Sequence, residues 1–275
     1  ISLEDRVVDY LPEFGNFDNK KDILIKHLLS YTLDLVVPSM ASLKDNSPDE
    51  IVKIIMEAPL RNSPGSKFLY TNSTTMFMGL LIEKIGGVNL TQLADEYFFS
   101  PLKMHNTTFH PEKFNINVIA PTEIDEWRGG VIQGEVHDES TYTLQQKYYF
   151  GLSGLFSTVP DLLTFLEMLL NDGVKDGKRY FSSEIIEQMH TNQIIGVGNT
   201  AGLGWELNQP HFMGTHSTKH TFGKRGFTGC MVLCDISKEV GIVLLSNRIY
   251  PKRPENGDLI NEVREDLADI IFDNL

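Results

Sequence analysis

The sequence predicts an α+β fold: a mainly helical region over residues 1–200, then a C-terminal antiparallel sheet flanked by a C-terminal helix over residues 201–275. Three observations predict it. Segments with apolar residues three and four positions apart dominate the first two hundred residues. After Gly202 the pattern changes to short β-rich runs, and the last segment returns to helical spacing. No linker, repeat or low-complexity tract divides the 275 residues, so we expect a single domain over residues 1–275.

The helical region contains several amphipathic segments with recognisable ends. Ser47 is a predicted N-cap followed by Pro48 in the first turn, and Gly86-Gly87 is typical of a helix end. Helices are predicted for residues 23–30, 48–57, 74–85, 90–98, 161–171 and 183–190.

The predicted sheet centres on an antiparallel hairpin. Gly229 to Asp235 and Val240 to Ser246 are β-rich runs joined by four residues. Trp205 to Asn208 and Thr218 to Phe222 are expected to be neighbouring strands. A helix over about residues 257–272 should pack on this sheet through its apolar stripe. That stripe consists of Leu259, Ile260, Val263, Leu267, Ile270 and Ile271.

Composition excludes several classes of function. With 24 Lys and Arg against 37 Asp and Glu, the formal charge is −13, which argues against nucleic acid or an anionic membrane as the main partner. No apolar run approaches the ~20 residues of a membrane-spanning helix, so no span is expected in this chain. No G-x-G-x-x-G or P-loop sequence is present, and we expect no nucleotide site of the Rossmann type.

Cys230 and Cys234 lie too far apart on one strand to form a disulfide, and both are predicted to be buried thiols.

Two polar residues at a predicted turn are candidates for chemistry. Residues 64–72 form a turn that delivers Tyr70 and Asn72 to the start of the next helix. A tyrosine hydroxyl beside a cation can act as a general base, and an asparagine amide can bind a substrate amide. The structural alternative is that Asn72 is only the helix N-cap and Tyr70 a half-buried aromatic residue. Composition alone favours that alternative.

A second candidate lies at the start of the predicted hairpin. Residues 222–229 place three glycines around Lys224 and Arg225. Glycines allow a substrate backbone to lie against a strand edge, and either cation can bind a carboxylate. The alternative is a turn with two solvated cations.

Three further segments favour structural interpretations. His137 and Asp138 are adjacent within residues 130–139, and we expect a buried His–Asp structural pair. Residues 151–158 are expected to form a structural turn. His216 and His220 lack the glutamate of a zincin helix, so no metal site is predicted.

Taken in order, these segments resemble the serine β-lactamase-like superfamily of penicillin-binding proteins, class C-type β-lactamases and related esterases. The chain departs from the family pattern at Asp34, Leu152 and Arg225, where Gly, His and Thr or Ser are usual. The matching segments are 1–14 (ISLEDRVVDYLPEF), 25–35 (IKHLLSYTLDL), 70–72 (Y-x-N), 99–104 (FSPLKM), 136–139 (VHDE) with 151–158 (GLSGLFST), and 222–229 (FGKRGFTG).

The resemblance implies a serine acyl-enzyme mechanism and a role for each matching residue. Tyr70 would share or relay the proton, and Asn72 would bind the substrate amide. Lys224 would supply positive charge toward Tyr70 and the substrate carboxylate. Arg225 would bind that carboxylate or obstruct the cleft. Gly226 completes the K-x-G triplet, and the N–H of Phe227 would form half of the oxyanion hole.

The resemblance also places the nucleophile, in an S-x-x-K motif, upstream of Ile1 and therefore outside residues 1–275. The match Ser100 to Lys103 lies in the loop of the F-x-P-L-G-M pattern and is not a predicted nucleophile.

Two hypotheses for the function remain. Either the intact protein is a serine hydrolase acting on D-alanyl peptides, β-lactams or small esters, or it is an inactive relative that binds peptidoglycan-like peptides. A weaker third possibility is assembly with a separate N-terminal piece. The resemblance implies no cofactor and favours the cell envelope or the extracellular space.

Overall fold

The computed structural model describes residues 1–16, 20–38 and 40–275. It confirms the α+β class, because helices precede an antiparallel sheet that is followed by a C-terminal helix. The helices are α1 (Ile25–Leu29), α2 (Met40–Leu43), α3 (Pro48–Glu57), α4 (Asn72–Gly86), α5 (Leu90–Ala94), α6 (Glu139–Leu144), α7 (Val159–Leu170), α8 (Ser183–His190), α9 (Pro210–Met213) and α10 (Asp258–Asp273). The strands are β1 (Glu123–Asp125), β2 (Gly130–Ile132), β3 (Val174–Lys175), β4 (Lys178–Arg179), β5 (Glu206–Leu207), β6 (Thr221–Arg225), β7 (Met231–Asp235) and β8 (Val240–Leu244).

The chain divides into two compact units that alternate along the sequence. The first, here called the helical unit, comprises Ile1–Ala94, Asp138–Gly154 and Gln193–Gly204. The second, here called the sheet unit, comprises Asp95–His137, Leu155–Asn192 and Trp205–Leu275.

The helical unit is built around α4, which begins and ends within two residues of its prediction. Its Phe77 is fully buried and packs edge-on against Phe14 with ring centroids 4.5 Å apart. The left-handed Gly87, at φ 71°, ends the helix as the sequence indicates. The predicted helix over residues 48–57 is confirmed with its capping box, in which the Ser47 hydroxyl accepts from the Glu50 N–H.

The sheet unit contains a four-stranded antiparallel sheet in the order β5-β6-β7-β8. The predicted hairpin is confirmed as β7 and β8, with Met231 opposite Leu244 and Asp235 opposite Val240. Because side chains alternate along a strand, the two faces of the sheet pack against different hydrophobic cores. Phe222 and Cys234 lie in a core with residues of α7 and α8, whereas residues 231, 233 and 242 lie in a core with residues of α9 and α10.

The stripe predicted for α10 is only partly correct. The residues it buries are Arg264, Ala268 and Phe272, which repeat every four positions along one face. Leu259, Val263 and Ile270 were expected to pack on the sheet and are instead exposed at 76%, 52% and 62%. Leu267 and Ile271 do pack against the core. An arginine replaces an apolar residue at the centre of this face because its guanidinium bonds to backbone carbonyls there.

Both cysteines are free thiols, as the strand spacing predicts. Cys234 is buried, and burial raises its pKa to about 12. Cys230 is only half-buried, and its Sγ lies 3.4 Å from the carbonyl oxygen of Ser246. Among the helices of residues 1–16, 20–38 and 40–275, none has both the length and the apolar character needed to cross a bilayer.

Candidate functional site

Asn72 is the first residue of α4 and is therefore not its N-cap. Thr71 occupies the cap position in an extended conformation, without capping through its side chain. The Thr71 hydroxyl lies instead 2.9 Å from that of Ser73. Within the part of the chain that the structure describes, the half-buried Asn72 amide makes no hydrogen bond. The structural alternative for Asn72 is therefore wrong, and the amide has donors and an acceptor to offer a ligand.

Tyr70 lies in the same turn and is supported by a second tyrosine. Its ring stacks on that of Tyr31, with centroids 5.2 Å apart and planes 29° apart. Tyr31 is fixed in turn, because its hydroxyl donates to the Gly204 carbonyl at 3.1 Å and its own carbonyl accepts from the Leu69 N–H at 2.8 Å. Tyr70 is 51% exposed, so this stacking holds one ring face while the side chain still reaches solvent.

In the sheet unit, Lys224 lies near the end of β6 with a buried ammonium nitrogen. Its Nζ is 3.7 Å from Glu206 Oε1 on the neighbouring strand β5. Burial lowers the pKa of Lys224 to about 8, and the nearby Glu206 carboxylate opposes this shift without cancelling it. The end of β6 thus contains a lysine whose pKa lies well below the ordinary value of a lysine.

Arg225 lies on the opposite face of the sheet from Lys224, as alternation along a strand requires. Its guanidinium carbon lies 5.3 Å from the centre of the Phe212 ring. Its Nη1 donates to Asn261 Oδ1 on α10 at 3.3 Å. These contacts direct Arg225 toward α10, and its role in carboxylate binding stays a prediction.

The last residue of the K-x-G triplet, Gly226, begins a tight turn over residues 226–229. The Gly226 N–H donates to the Cys230 carbonyl at 2.7 Å, and the Gly229 N–H donates to the Gly226 carbonyl at 3.0 Å. The backbone N–H of Phe227 donates no hydrogen bond to any residue that the structure describes. An N–H held in a fixed turn and without an acceptor is suited to binding a developing oxyanion.

The side chain of Phe227 packs within a charged cluster. Its ring stacks on that of His137 at 5.6 Å and 16°, and the guanidinium carbons of Arg248 and Arg253 lie 5.2 and 5.6 Å from its centre. His137 Nε2 and Glu123 Oε2 are 2.7 Å apart and both side chains are buried. Burial would raise the pKa of Glu123, but hydrogen bonds from Arg253 and His137 outweigh it and hold the pKa at about 2.

The predicted pairing of His137 with Asp138 is therefore wrong in its partner. His137 does belong to a buried pair, but the carboxylate is that of Glu123, which the β1–β2 hairpin brings close. Asp138 instead caps α6 by accepting from the Thr141 N–H at 2.8 Å. Neither Glu123 nor Arg253 lies in a motif, and because the two positions are 130 apart in sequence no local signal pairs them.

The S-x-x-K match at residues 100–103 has the contacts of a structural loop. Ser100 Oγ is 3.2 Å from Asp95 Oδ1, whereas Lys103 Nζ pairs with Asp176 at 3.3 Å. Lys103 also has a left-handed backbone, at φ 59°, so the two residues do not follow one helical turn.

Substituting Gly229 by alanine is expected to destabilise the protein by about 2–3 kcal/mol. Gly229 has φ 109°, and an added Cβ would overlap the Ser246 hydroxyl and lie 3.2 Å from Arg248 Cγ. Urea unfolding measures the change. Gly129→Ala is the matched control, because φ is 75° there and nothing lies within 4 Å of the added Cβ. Equal losses in the two variants would contradict the role of the overlap.

Comparisons with known proteins identify the family of this chain. The family model described as Beta-lactamase matches residues 1–265. A protein of Escherichia coli strain K12 is named "Putative D-alanyl-D-alanine carboxypeptidase". It is 29% identical over an aligned length of 275, and the alignment covers 89% of this chain and 62% of that protein. A protein of the same name from Salmonella agona is 28% identical, with 95% of this chain and 66% of that protein covered. The chain thus spans about 62% of the length of the first of these relatives.

Solved structures show the same fold at low sequence identity. A "Putative 6-aminohexanoate-dimer hydrolase" from Bacillus anthracis superposes with a TM-score of 0.72 at 18% identity, covering 100% of this chain and 66% of that one. A simvastatin synthase mutant from Aspergillus terreus superposes with a TM-score of 0.70 at 18% identity, covering 100% and 75%. With a family model that matches residues 1–265, this chain belongs to the Beta-lactamase family.

Proposed function

We propose that the intact protein is an acyl-enzyme hydrolase that acts on peptides ending in D-alanine. The observation that carries the proposal is the end of β6, where the buried cation of Lys224 and the unbonded N–H of Phe227 lie three residues apart. A buried positive charge and a preorganised N–H donor are two of the groups that acyl transfer from a carboxylate-bearing substrate uses.

In the proposed reaction a serine hydroxyl, expected on an S-x-x-K motif outside residues 1–275, attacks the substrate carbonyl. Tyr70 takes or relays the hydroxyl proton, and the Phe227 N–H binds the oxyanion. The C–N bond then breaks, and the proton passes to the leaving amine. Water hydrolyses the resulting ester and restores the serine. Asn72 is assigned to the substrate amide and Lys224 to the substrate carboxylate.

The names of the carboxypeptidase-like relatives support the substrate class. Amide hydrolysis of a D-alanyl peptide, opening of a β-lactam and hydrolysis of a small ester share the acylation step. They differ in deacylation and in pocket shape.

The test is intact-mass spectrometry of the full-length protein before and after incubation with a reactive penicillin, with release of D-alanine from a D-alanyl-D-alanine peptide measured in parallel. The expected result is an increase of one penicillin on a single serine, together with D-alanine release. An adduct without D-alanine release would overturn the substrate class alone. Absence of both, in a protein that still binds the peptide, would establish the inactive relative.

The rate of acylation by a carboxylate-bearing substrate should fall as pH rises through about 8. Below this pH Lys224 is mostly cationic, and above it the buried amine is mostly neutral. A single deprotonation near pH 8 leaves about one tenth of the cation at pH 9. The measurement is kcat/KM between pH 6 and 10.

Lys224→Arg provides the comparison for this pH profile. A guanidinium stays charged throughout the range, so any residual activity of the variant should lack the descending limb near pH 8. A limb that stays at the same pH in Lys224→Arg would show that another group titrates.

A further inference from the structure

Arg264 lies on α10, is 3% exposed, and lies directly against the turn that presents the Phe227 N–H. Its Nη2 donates to the Gly226 carbonyl at 2.8 Å and to the Cys230 carbonyl at 2.9 Å. Its Nη1 donates to Asn261 Oδ1 at 2.9 Å. In the chain as described, no carboxylate forms an ion pair with it. A buried cation held only by neutral acceptors is costly, which argues for a role beyond packing.

The bond to the Gly226 carbonyl acts on the peptide group that carries the candidate oxyanion donor. The C=O of Gly226 and the N–H of Phe227 belong to one planar trans peptide, in which they point in opposite directions. A cation on the oxygen therefore fixes the direction of the N–H. It also polarises the peptide and strengthens the N–H as a donor.

Further contacts hold this turn in place. The Cys230 carbonyl that accepts from Arg264 also accepts from the Gly226 N–H at 2.7 Å. The Gly226 carbonyl receives a second bond, from the Gly229 N–H at 3.0 Å. Arg264 thus bonds to the carbonyls at both ends of a turn in which the N–H groups of Phe227 and Thr228 have no acceptor among the described residues.

We propose that Arg264 is a positioning residue that orients and polarises the Gly226–Phe227 peptide for oxyanion binding. This inference rests on the proposed acyl-enzyme function. Its consequence is kinetic. Loss of a whole oxyanion donor lowers kcat about 10²–10³-fold, so loss of the group that aligns one should slow acylation about 10–100-fold with little change in KM.

The experiment compares Arg264→Met and Arg264→Lys with the unsubstituted full-length protein. Acylation rate and KM are measured with an aryl ester, and the ester carbonyl stretch of the trapped acyl-enzyme is measured by infrared difference spectroscopy. That stretch falls when the carbonyl accepts strong hydrogen bonds, so both variants should show it at higher frequency. The carbonyl frequency should rise less in Arg264→Lys than in Arg264→Met, because the lysine ammonium keeps a positive charge and part of the hydrogen bonding.

Arg179→Gln is the matched control. Arg179 also donates to two backbone carbonyls of the sheet unit, those of Asp172 and Phe181, and none of its hydrogen bonds is to residues 224–229. It should leave both the acylation rate and the carbonyl frequency unchanged. If Arg264→Met fails to fold, Arg264→Lys provides the same comparison.

The outcomes separate the two proposals. No acyl-enzyme in the unsubstituted protein would overturn the proposed function and this inference with it. An acyl-enzyme whose carbonyl frequency and acylation rate are the same in the Arg264 variants would overturn the inference alone. A slower rate with an unchanged frequency would also overturn it, because a merely structural role produces that result.

Discussion

Replacing Lys224 by methionine is expected to lower the acylation rate of the full-length protein by about 10²–10⁴-fold. Methionine keeps most of the volume of the lysine stem and removes the buried cation. The loss should be greatest for substrates with a free carboxylate, because the charge of Lys224 is assigned to that group. The measurement is the pseudo-first-order rate of penicillin adduct formation, followed by mass spectrometry.

Glu206→Gln separates the lysine's own role from that of its ion pair. The carboxylate of Glu206 raises the pKa of Lys224 against the effect of burial. Removing that negative charge should therefore move the descending limb of the pH profile below 8, while the protein stays active at lower pH. A folded Lys224→Met protein that acylates at the unsubstituted rate would contradict the assignment of Lys224.

Replacing Tyr70 by phenylalanine is expected to slow acylation by about 10²–10⁴-fold with almost no effect on stability. The substitution removes one hydroxyl and leaves the ring that stacks on Tyr31 at 5.2 Å. At a half-exposed position this should change the free energy of unfolding by no more than ~0.5 kcal/mol. Adduct formation and urea unfolding, measured on the same preparation, give the two numbers.

Tyr31→Phe is the matched control, because it removes the other hydroxyl of the stacked pair. The Tyr31 hydroxyl donates to the Gly204 carbonyl at 3.1 Å, so its loss should cost about 1 kcal/mol of stability. The acylation rate should stay close to that of the unsubstituted protein. If the two variants lost activity equally, the proton-transfer role of Tyr70 would be wrong, and packing of the ring pair would account for the loss.

Sequence pattern predicted the helices and strands correctly wherever the interactions that form them are between residues close in sequence. Helix α3 begins at Pro48 and ends at Glu57 as predicted, because its cap and apolar spacing are all local. The hairpin of β7 and β8 was predicted for the same reason. The family was also predictable, since short motifs in a fixed order identify it without knowledge of their contacts.

The partners of charged side chains were not predictable in this way. His137 was paired with its neighbour Asp138, whereas the structure pairs it with Glu123. Arg264 was not among the residues predicted to pack on the sheet, and its hydrogen bond to Gly226 became visible only when α10 was placed on the sheet. The single signal for it in the sequence was a charge at a position where helical spacing calls for an apolar residue.

The sequence by itself thus determined the α+β class, the positions of the main helices and strands, and the family, whereas the candidate site residues stay predictions. The tertiary structure decided which of those side chains share a face and what holds them. Lys224 and Arg225 are adjacent in sequence, yet the first pairs with Glu206 and the second bonds to Asn261 on α10. The physical reason is that strand alternation separates neighbours, whereas sheet register and helix packing bring together groups that are tens of residues apart.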